Sequence, residues 1–169
     1  MSTKKGKIRG HCFHGDPMRF EVLAEFIADN YKRQIKYVAD VAGGQGMLAK
    51  ILAKKYNYET EVIDPRGHTL IGVSNRAMEY KAEMADYYDL IVGLHPDEAL
   101  REVVYSALIR PVIVIPCCNF WSETETLGRD ALLLKIEEYF KEKGVKFRRV
   151  VFPFEGPKNI GLVSEPPKK

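Results

Sequence analysis

Apolar positions along this chain fall into two rhythms that alternate from end to end. Within residues 18–33 they recur at Phe20, Leu23, Ala24, Phe26, Ile27 and Tyr31, the spacing of one helical face. Asp16-Pro17 ahead of them supplies an N-cap and a first-turn proline. Residues 35–41 then read as a strand. Residues 46–56 read as a helix with Leu48, Ile51 and Leu52 on one side, and 58–63 as a second strand ending at Asp64-Pro65. The pattern is faintest over 66–86, where it predicts a helix around 75–85 and a short strand near 70–73 or 80–82. Residues 88–92 form an apolar strand. A helix over 97–109 follows, with acids in its first turn, as the helix dipole favours. The run Pro-Val-Ile-Val-Ile over 111–115 is the signature of a strand buried on both faces. A long amphipathic helix over 127–143 stops at Gly144. Strands over 146–154 and 159–164 flank Glu155-Gly156-Pro157 as an antiparallel pair.

Strands alternating with helices and closing on a hairpin predict an α/β fold. The expected architecture is a three-layer sandwich around a mostly parallel sheet with a C-terminal antiparallel hairpin. Such sheets bind ligands beyond the carboxyl ends of their strands, near the point where strand order reverses. The chemically loaded residues of this chain do follow strands: the glycines after residue 41, Asp64, His95 to Asp97, and Cys117 to Trp121. At 169 residues, one domain over 1–169 is expected. Residues 1–15 form a basic arm and 16–34 carry a helix ahead of the first strand.

Composition narrows the class. Apolar residues make up 46% and charged residues 29% of the chain, ordinary for a soluble globular protein. No apolar run approaches the roughly 20 residues of a membrane span. The basic N-terminus has no apolar stretch behind it and does not read as a signal peptide. Three cysteines, two of them adjacent, make no disulfide framework, so a reducing, cytoplasmic setting is expected. Net charge is only +3 but unevenly spread: Lys4, Lys5, Lys7 and Arg9 in the arm, Lys146, Arg148 and Arg149 near the hairpin, and Lys168 and Lys169 at the end. Two readings stand: contacts to nucleic-acid phosphates, or solvated charge.

The stretch Val-Ala-Asp-Val-Ala-Gly-Gly-Gln-Gly-Met-Leu-Ala, residues 38–49, carries the sharpest signal. Gly44, Gly46 and Ala49 fit the loose dinucleotide fingerprint, and Asp64 follows about 20 residues on, where an acid takes ribose hydroxyls. A nicotinamide cofactor is one reading. Against it, Asp40 at the strand end repels a pyrophosphate and attracts a cation, and the chain has no room for a second mononucleotide half. An acid, a glycine turn and a ribose-binding acid suit S-adenosylmethionine, which carries a sulfonium and an amino group but no phosphate.

This stretch resembles motif I of the class I methyltransferases, acid-x-Gly-x-Gly-x-Gly, mapping to Asp40, Ala42, Gly44 and Gly46. Ala42 replaces the first glycine, with Gly43 beside it. Glu-Val-Ile-Asp-Pro-Arg, 61–66, resembles motif II, which makes Asp64 the ribose ligand. Residues 88–99 resemble the motif IV strand and loop, and the closing hairpin corresponds to strands six and seven of that family's Rossmann-like sheet. The resemblance spans 35–164. It implies cofactor contacts from Asp40, Ala42, Gly43, Gly44, Gly46, Asp64 and Gly93, with Glu83 the acid best placed by order to cover the adenine. The segment from Asp64 to Tyr88 is shorter than the family's usual helix-strand-helix.

Gly-Leu-His-Pro-Asp-Glu-Ala, 93–99, and Pro-Cys-Cys-Asn-Phe-Trp, 116–121, resemble a methyltransferase group that includes eukaryotic tRNA 2′-O-methyltransferases. That group carries Gly-x-His after strand four and a Cys-Cys pair after strand five. The resemblance implies an RNA acceptor. A small-molecule acceptor and a non-catalytic nucleotide-binding protein are the alternatives. His95 and Asp97 are the candidate catalytic bases. His95 can equally contact cofactor, and Asp97 can equally cap the next helix. His14, Arg19, Cys117, Asn119, Phe120 and Trp121 are the candidate substrate contacts; core packing is the alternative for Phe120 and Trp121, and a plain cap with a solvated Arg19 the alternative for the N-terminal segment. The cysteines admit a thiolate nucleophile, a metal site with His11, Cys12 and His14, or plain packing of the pocket wall. With no Cys-x-x-Cys present, no metal is expected. A monomer or homodimer without membrane contact completes the expectation.

Overall fold

The computed structural model describes residues 16–169. Helix α1 (Arg19–Tyr31) leads into strand β1 (Tyr37–Val41), helix α2 (Met47–Tyr56) and strand β2 (Glu59–Ile63). A two-residue strand β3 (Asn75–Arg76) and a 3-10 turn (Ala82–Tyr87) precede β4 (Leu90–Leu94). Helix α3 (Leu100–Tyr105), flanked by 3-10 turns, leads to β5 (Val112–Ile115), α4 (Arg129–Glu142), β6 (Lys146–Val151) and β7 (Ile160–Glu165). The seven strands form one sheet in the order β3-β2-β1-β4-β5-β7-β6. Strands β1 to β5 pair in parallel, and β7 runs antiparallel to both β5 and β6. This is the expected three-layer α/β sandwich with its closing hairpin.

Two apolar layers hold it together. On one face Leu23, Ala24 and Ile27 of α1 and Leu48 and Leu52 of α2 cover Val38, Leu90, Val92, Ile113 and Ile115. On the other, Val103 and Val104 of α3 and Leu133, Ile136 and Phe140 of α4 cover Ala39, Val41, Ile91, Val112 and Val114. The central strands β4 and β5 are buried along their whole length, as their unbroken apolar runs require. Order reverses between β1, whose chain proceeds outward to β2, and β4, whose chain proceeds outward to β5. The crevice between their carboxyl ends is therefore the place where a ligand fits.

The expected helix over 75–85 is not formed, and the short strand lies at Asn75–Arg76 instead of 70–73 or 80–82. Gly67 and Gly72, both at positive φ, turn the chain ahead of this stretch. Edge pairing to β2 then takes the backbone: Val62 N–H donates to Ser74 O and Asp64 N–H to Arg76 O. Helix α1 begins two residues later than the expected Asp16 cap implies, with Met18 as its N-cap and no side-chain cap; Asp16 Oδ1 instead accepts Met18 N–H in the preceding turn, while its Oδ2 accepts Glu155 N–H from the β6–β7 loop. One carboxylate thus fixes the start of α1 to the hairpin. The basic hairpin cluster is partly spent internally. Arg149 forks onto Glu137 at 2.8 and 2.6 Å, and Arg148 donates to Asn30 and lies over the Phe26 ring.

Phe140 is fully buried between α4 and the sheet. Its replacement by Ala removes about 3–5 kcal/mol of unfolding free energy, read as a lowered urea midpoint at unchanged slope.

Candidate functional site

A cavity of about 300 Å³ opens at the carboxyl ends of β1 and β4. Its floor is the loop after β1, with Ala42, Gly43, Gly44 and Gln45. Its walls are Leu94, His95 and Asp97 after β4, and Cys117 and Cys118 after β5. Arg19 and Phe20 of α1, Arg66 after β2 and Lys158 of the β6–β7 loop close the mouth. Four sequence-distant loops meet here because every parallel strand ends at the same edge.

Asp40, on the last turn of β1, is almost fully buried. Its Oδ2 has no hydrogen-bond partner among the described residues. Burial pushes its carboxyl up to about 7, the neighbouring Asp64 charge adds to the rise, and the Ala49 backbone opposes it. Gly43 is indispensable to this arrangement, since a Cβ there would lie 2.4 Å from Asp40 Oδ2. Ala42 sits at φ 54°, in the left-handed region, which explains why the family pattern has glycine at this position. Gly44, at φ 60°, turns its N–H toward Asp64.

Asp64 is buried and fully engaged. Oδ2 accepts Gly44 N–H at 3.0 Å and the Arg66 guanidinium at 2.7 Å; Oδ1 accepts Arg66 N–H at 2.9 Å and Nε–H at 3.0 Å. Burial works to raise its carboxyl, but these donors outweigh it and hold the group below the usual carboxylate range. A ribose reaching Asp64 must therefore displace the Arg66 fork. The Arg66 side chain is about half exposed and has room to leave.

His95 and Asp97 both adopt positive φ, 51° and 47°, on either side of Pro96. Such strain in side-chain-bearing residues concentrates at functional sites. His95 Nε2 lies 2.8 Å from the Lys158 carbonyl. A carbonyl only accepts, so Nε2 carries the proton and Nδ1 is the basic nitrogen of the neutral ring. Burial lowers the imidazole's proton affinity, and the Arg19 and Lys158 charges add to that. Asp97 makes no side-chain cap on the following turn, against the capping reading. Its Oδ1 accepts the Cys117 thiol at 3.0 Å instead. Burial first, and Asp97 second, push that thiol up, so Cys117 is a protonated thiol at neutral pH.

The structure thus brings Asp40, Ala42, Gly43, Gly44, His95, Asp97, Arg19 and Cys117 to one cavity, with Asp64 directly behind Gly44 and Arg66. It does not bring the others to that wall. Gly46 starts α2 and faces Val62 and Val73; Gly93 is pinned between Val103 and Pro96. Glu83 lies exposed on the 3-10 turn before β4. Asn119 organises its own loop, donating to Glu125 O and accepting Ser122 N–H. Trp121 packs edge-on against Tyr105 and Tyr139 on the α3–α4 face, its carbonyl held by Arg101, and Phe120 is exposed beside it. His14, like His11 and Cys12, lies outside the described residues. Conversely, Arg66, Lys158, Phe20 and Met47 border the cavity without having been singled out. Arg66 was signalled by its place two residues after the acid of β2; Lys158, in an irregular loop, left no local sign.

The fold decides the comparison with known proteins. The chain has the class I methyltransferase fold. It is similar to the sugar N-methyltransferase KedS8 from Streptoalloteichus sp ATCC 53650, with a TM-score of 0.58 and 11% identity over 95% of this chain and 90% of that one. It is similar to the human methyltransferase 10 domain containing protein, with a TM-score of 0.60 and 11% identity over 87% and 80%. The ribosomal protein L11 methylase from Lactobacillus delbrueckii subsp. bulgaricus gives a TM-score of 0.57 and 19% identity over 86% and 77%. No family model and no curated protein matches the sequence.

Two substitutions separate backbone geometry from ligand contact. Ala42→Gly relieves the left-handed strain and raises unfolding free energy by about 1 kcal/mol, seen as a higher melting temperature. Gly93→Ala drives a Cβ to within 2.9 Å of Val103; it lowers stability by roughly 1–3 kcal/mol while affinity for cavity ligands, titrated on the folded fraction, stays unchanged.

Proposed function

We propose that the protein is an S-adenosylmethionine-dependent methyltransferase and that its acceptor is an O or N nucleophile on RNA. The observation that carries the cofactor reading is the unpartnered, buried Oδ2 of Asp40 beside a glycine that only a bare Cα can occupy. A burial-strained carboxylate at a cavity floor favours a cationic ligand over a pyrophosphate. Asp64 supplies the second anchor for hydroxyls once Arg66 swings aside. The residues present therefore fit a cationic adenosine ligand: Asp40 and the 42–44 backbone on one side, Asp64 on the other. When bound, the cofactor supplies an electrophilic methyl group on sulfur.

The remaining chemistry belongs to the chain. Neutral His95, its Nε2–H fixed on Lys158 O, presents Nδ1 as the base that takes the acceptor's proton. The ring's lowered proton affinity keeps it unprotonated at neutral pH. Arg19 and Lys158 line the same cavity and give its mouth a positive character that suits an acceptor carrying phosphates. Holding acceptor and donor in line in a pocket walled by Leu94, Phe20 and Met47 supplies much of the rate through positioning.

Calorimetric titration with S-adenosylmethionine, S-adenosylhomocysteine and NAD⁺ tests the cofactor. Micromolar binding of the first two, lost in Asp64→Ala and absent for NAD⁺, is the expected outcome. Binding of NAD⁺ alone, or of nothing, sinks the reading. Labelled-methyl transfer to total RNA, lost in His95→Ala, then tests the acceptor; transfer only to small molecules overturns the RNA assignment.

Asp40 makes binding depend on pH. Its folded value of about 7 lies above the unfolded carboxyl value of about 3.9. The stability it contributes is therefore fully present below pH about 4 and is lost as pH rises through 7. A cation bound beside it favours the ionised form, so affinity for S-adenosylmethionine rises about tenfold between pH 6 and 8. Asp40→Asn flattens that rise relative to the parent protein and removes the stability loss between pH about 4 and 7.

A further inference from the structure

We propose that Asp97, Cys117 and Cys118 form a binding site for a soft divalent cation, zinc by chemical preference, on the wall of the cavity formed after β4 and β5. One carboxylate oxygen and both sulfurs lie within 4.8 Å of one another, and Cys117 Sγ is 3.0 Å from Asp97 Oδ1. Tetrahedral zinc, bonded at about 2.3 Å to sulfur and about 2.1 Å to oxygen, holds such ligands about 3.5–3.8 Å apart. Side-chain rotation closes the difference.

Three features make this more than proximity. In a continuing strand, neighbouring cysteines would point to opposite faces. Strand β5 ends at Ile115, and beyond it both sulfurs lie within 4.8 Å of each other and of an Asp97 oxygen. Asp97 holds a positive φ of 47°, a strained conformation that turns its carboxylate toward Cys117 without a side-chain cap on its own turn. Charge also balances. Zinc displaces the thiol protons of Cys117 and Cys118 to solvent; the two thiolates and the carboxylate then carry three negative charges, zinc returns two, and Lys158 Nζ, 3.8 Å from Cys118 Sγ, offsets the third as a donor to sulfur.

The donor set selects the metal. Thiolates favour zinc over magnesium or calcium, which take oxygen ligands. Three protein ligands leave a fourth position, as in zinc sites that bind exchangeable molecules. Only the role of that position as a docking point for the methyl acceptor rests on the function proposed above; metal binding does not.

The test is titration of the full chain with Co²⁺, a spectroscopic substitute for zinc, without adenosine ligand. One equivalent should produce thiolate-to-cobalt charge-transfer absorption that zinc bleaches. The band should vanish in Cys117→Ser/Cys118→Ser, persist in Cys12→Ser, and require at least tenfold more metal in Asp97→Asn. Absence of the band, its survival in the double variant, or its loss in Cys12→Ser overturns the proposal. Should the double variant fail to fold, zinc protection of the parent protein against thiol alkylation decides. Cys117 and Cys118 should be alkylated more slowly with zinc than without, and equal labelling of these two with and without zinc overturns the site. A protein that binds cobalt but no S-adenosylmethionine, or the reverse, tells failure of one reading from failure of the other.

Discussion

The Asp64 carboxylate holds the working end of the sheet together. It accepts from the Gly44 backbone of the β1 loop and from the Arg66 backbone and guanidinium of the β2 loop, so two adjacent loops share one buried anion. A buried charge is tolerable only when its lone pairs are met, and here the protein meets them with its own groups. The consequence falls on Asp40. Asp64 is already neutralised locally, and the glycines between the two acids leave Asp40 with one oxygen unpartnered. The cavity floor therefore carries a buried carboxyl oxygen without a hydrogen-bond partner among the described residues.

Charge is sorted across the cavity. The acids Asp40 and Asp97 come from the ends of β1 and β4; the cations Arg19, Arg66 and Lys158 come from α1, the loop after β2 and the β6–β7 loop. Asp16 makes this sorting rigid by bonding both the start of α1 and Glu155 N–H, so the two basic elements are fixed to one another. His95 stands between the two sets, and its single bond to the Lys158 carbonyl sets both its tautomer and its position. Burial lowers the imidazole's proton affinity, and the bond to Lys158 O orients the ring.

Much of the fold was legible because its long elements obey one period each. The unbroken apolar runs of β4 and β5 and the face of α1 leave little choice. The segment from Arg66 to Tyr87 was not legible, since its structure comes from pairing to the edge of β2, a tertiary effect that overrides the weak helical spacing around residues 75–85. At the site, Asp40, Gly43, Gly44 and Asp64 stood out because the backbone demands them, and Ala42 because it breaks the pattern. Glu83 and Trp121 were judged by order along the chain. Order does not say that the first faces solvent on a 3-10 turn and the second joins the aromatic packing of Tyr105 and Tyr139. Arg66 and Lys158 act through side-chain reach, which no periodicity records.

The loops after β4 and β5 differ in kind from the glycine loop. The glycine loop achieves close approach with residues suited to positive φ, Ala42 excepted. The loop after β4 places His95 and Asp97 at positive φ without glycine, at a cost on the order of 1–3 kcal/mol each. A fold accepts such cost only where packing over-determines the conformation, and Gly93, wedged against Val103 and Pro96, shows how tightly the loop is seated. What the cost secures is visible: an imidazole held by Lys158 O and a carboxylate turned onto a thiol, both facing the cavity. The fold shared with known methyltransferases accounts for the crevice at the carboxyl ends of β1 and β4. The strained loop after β4, with its imidazole and its carboxylate on a neighbouring thiol, gives that crevice its distinct second wall.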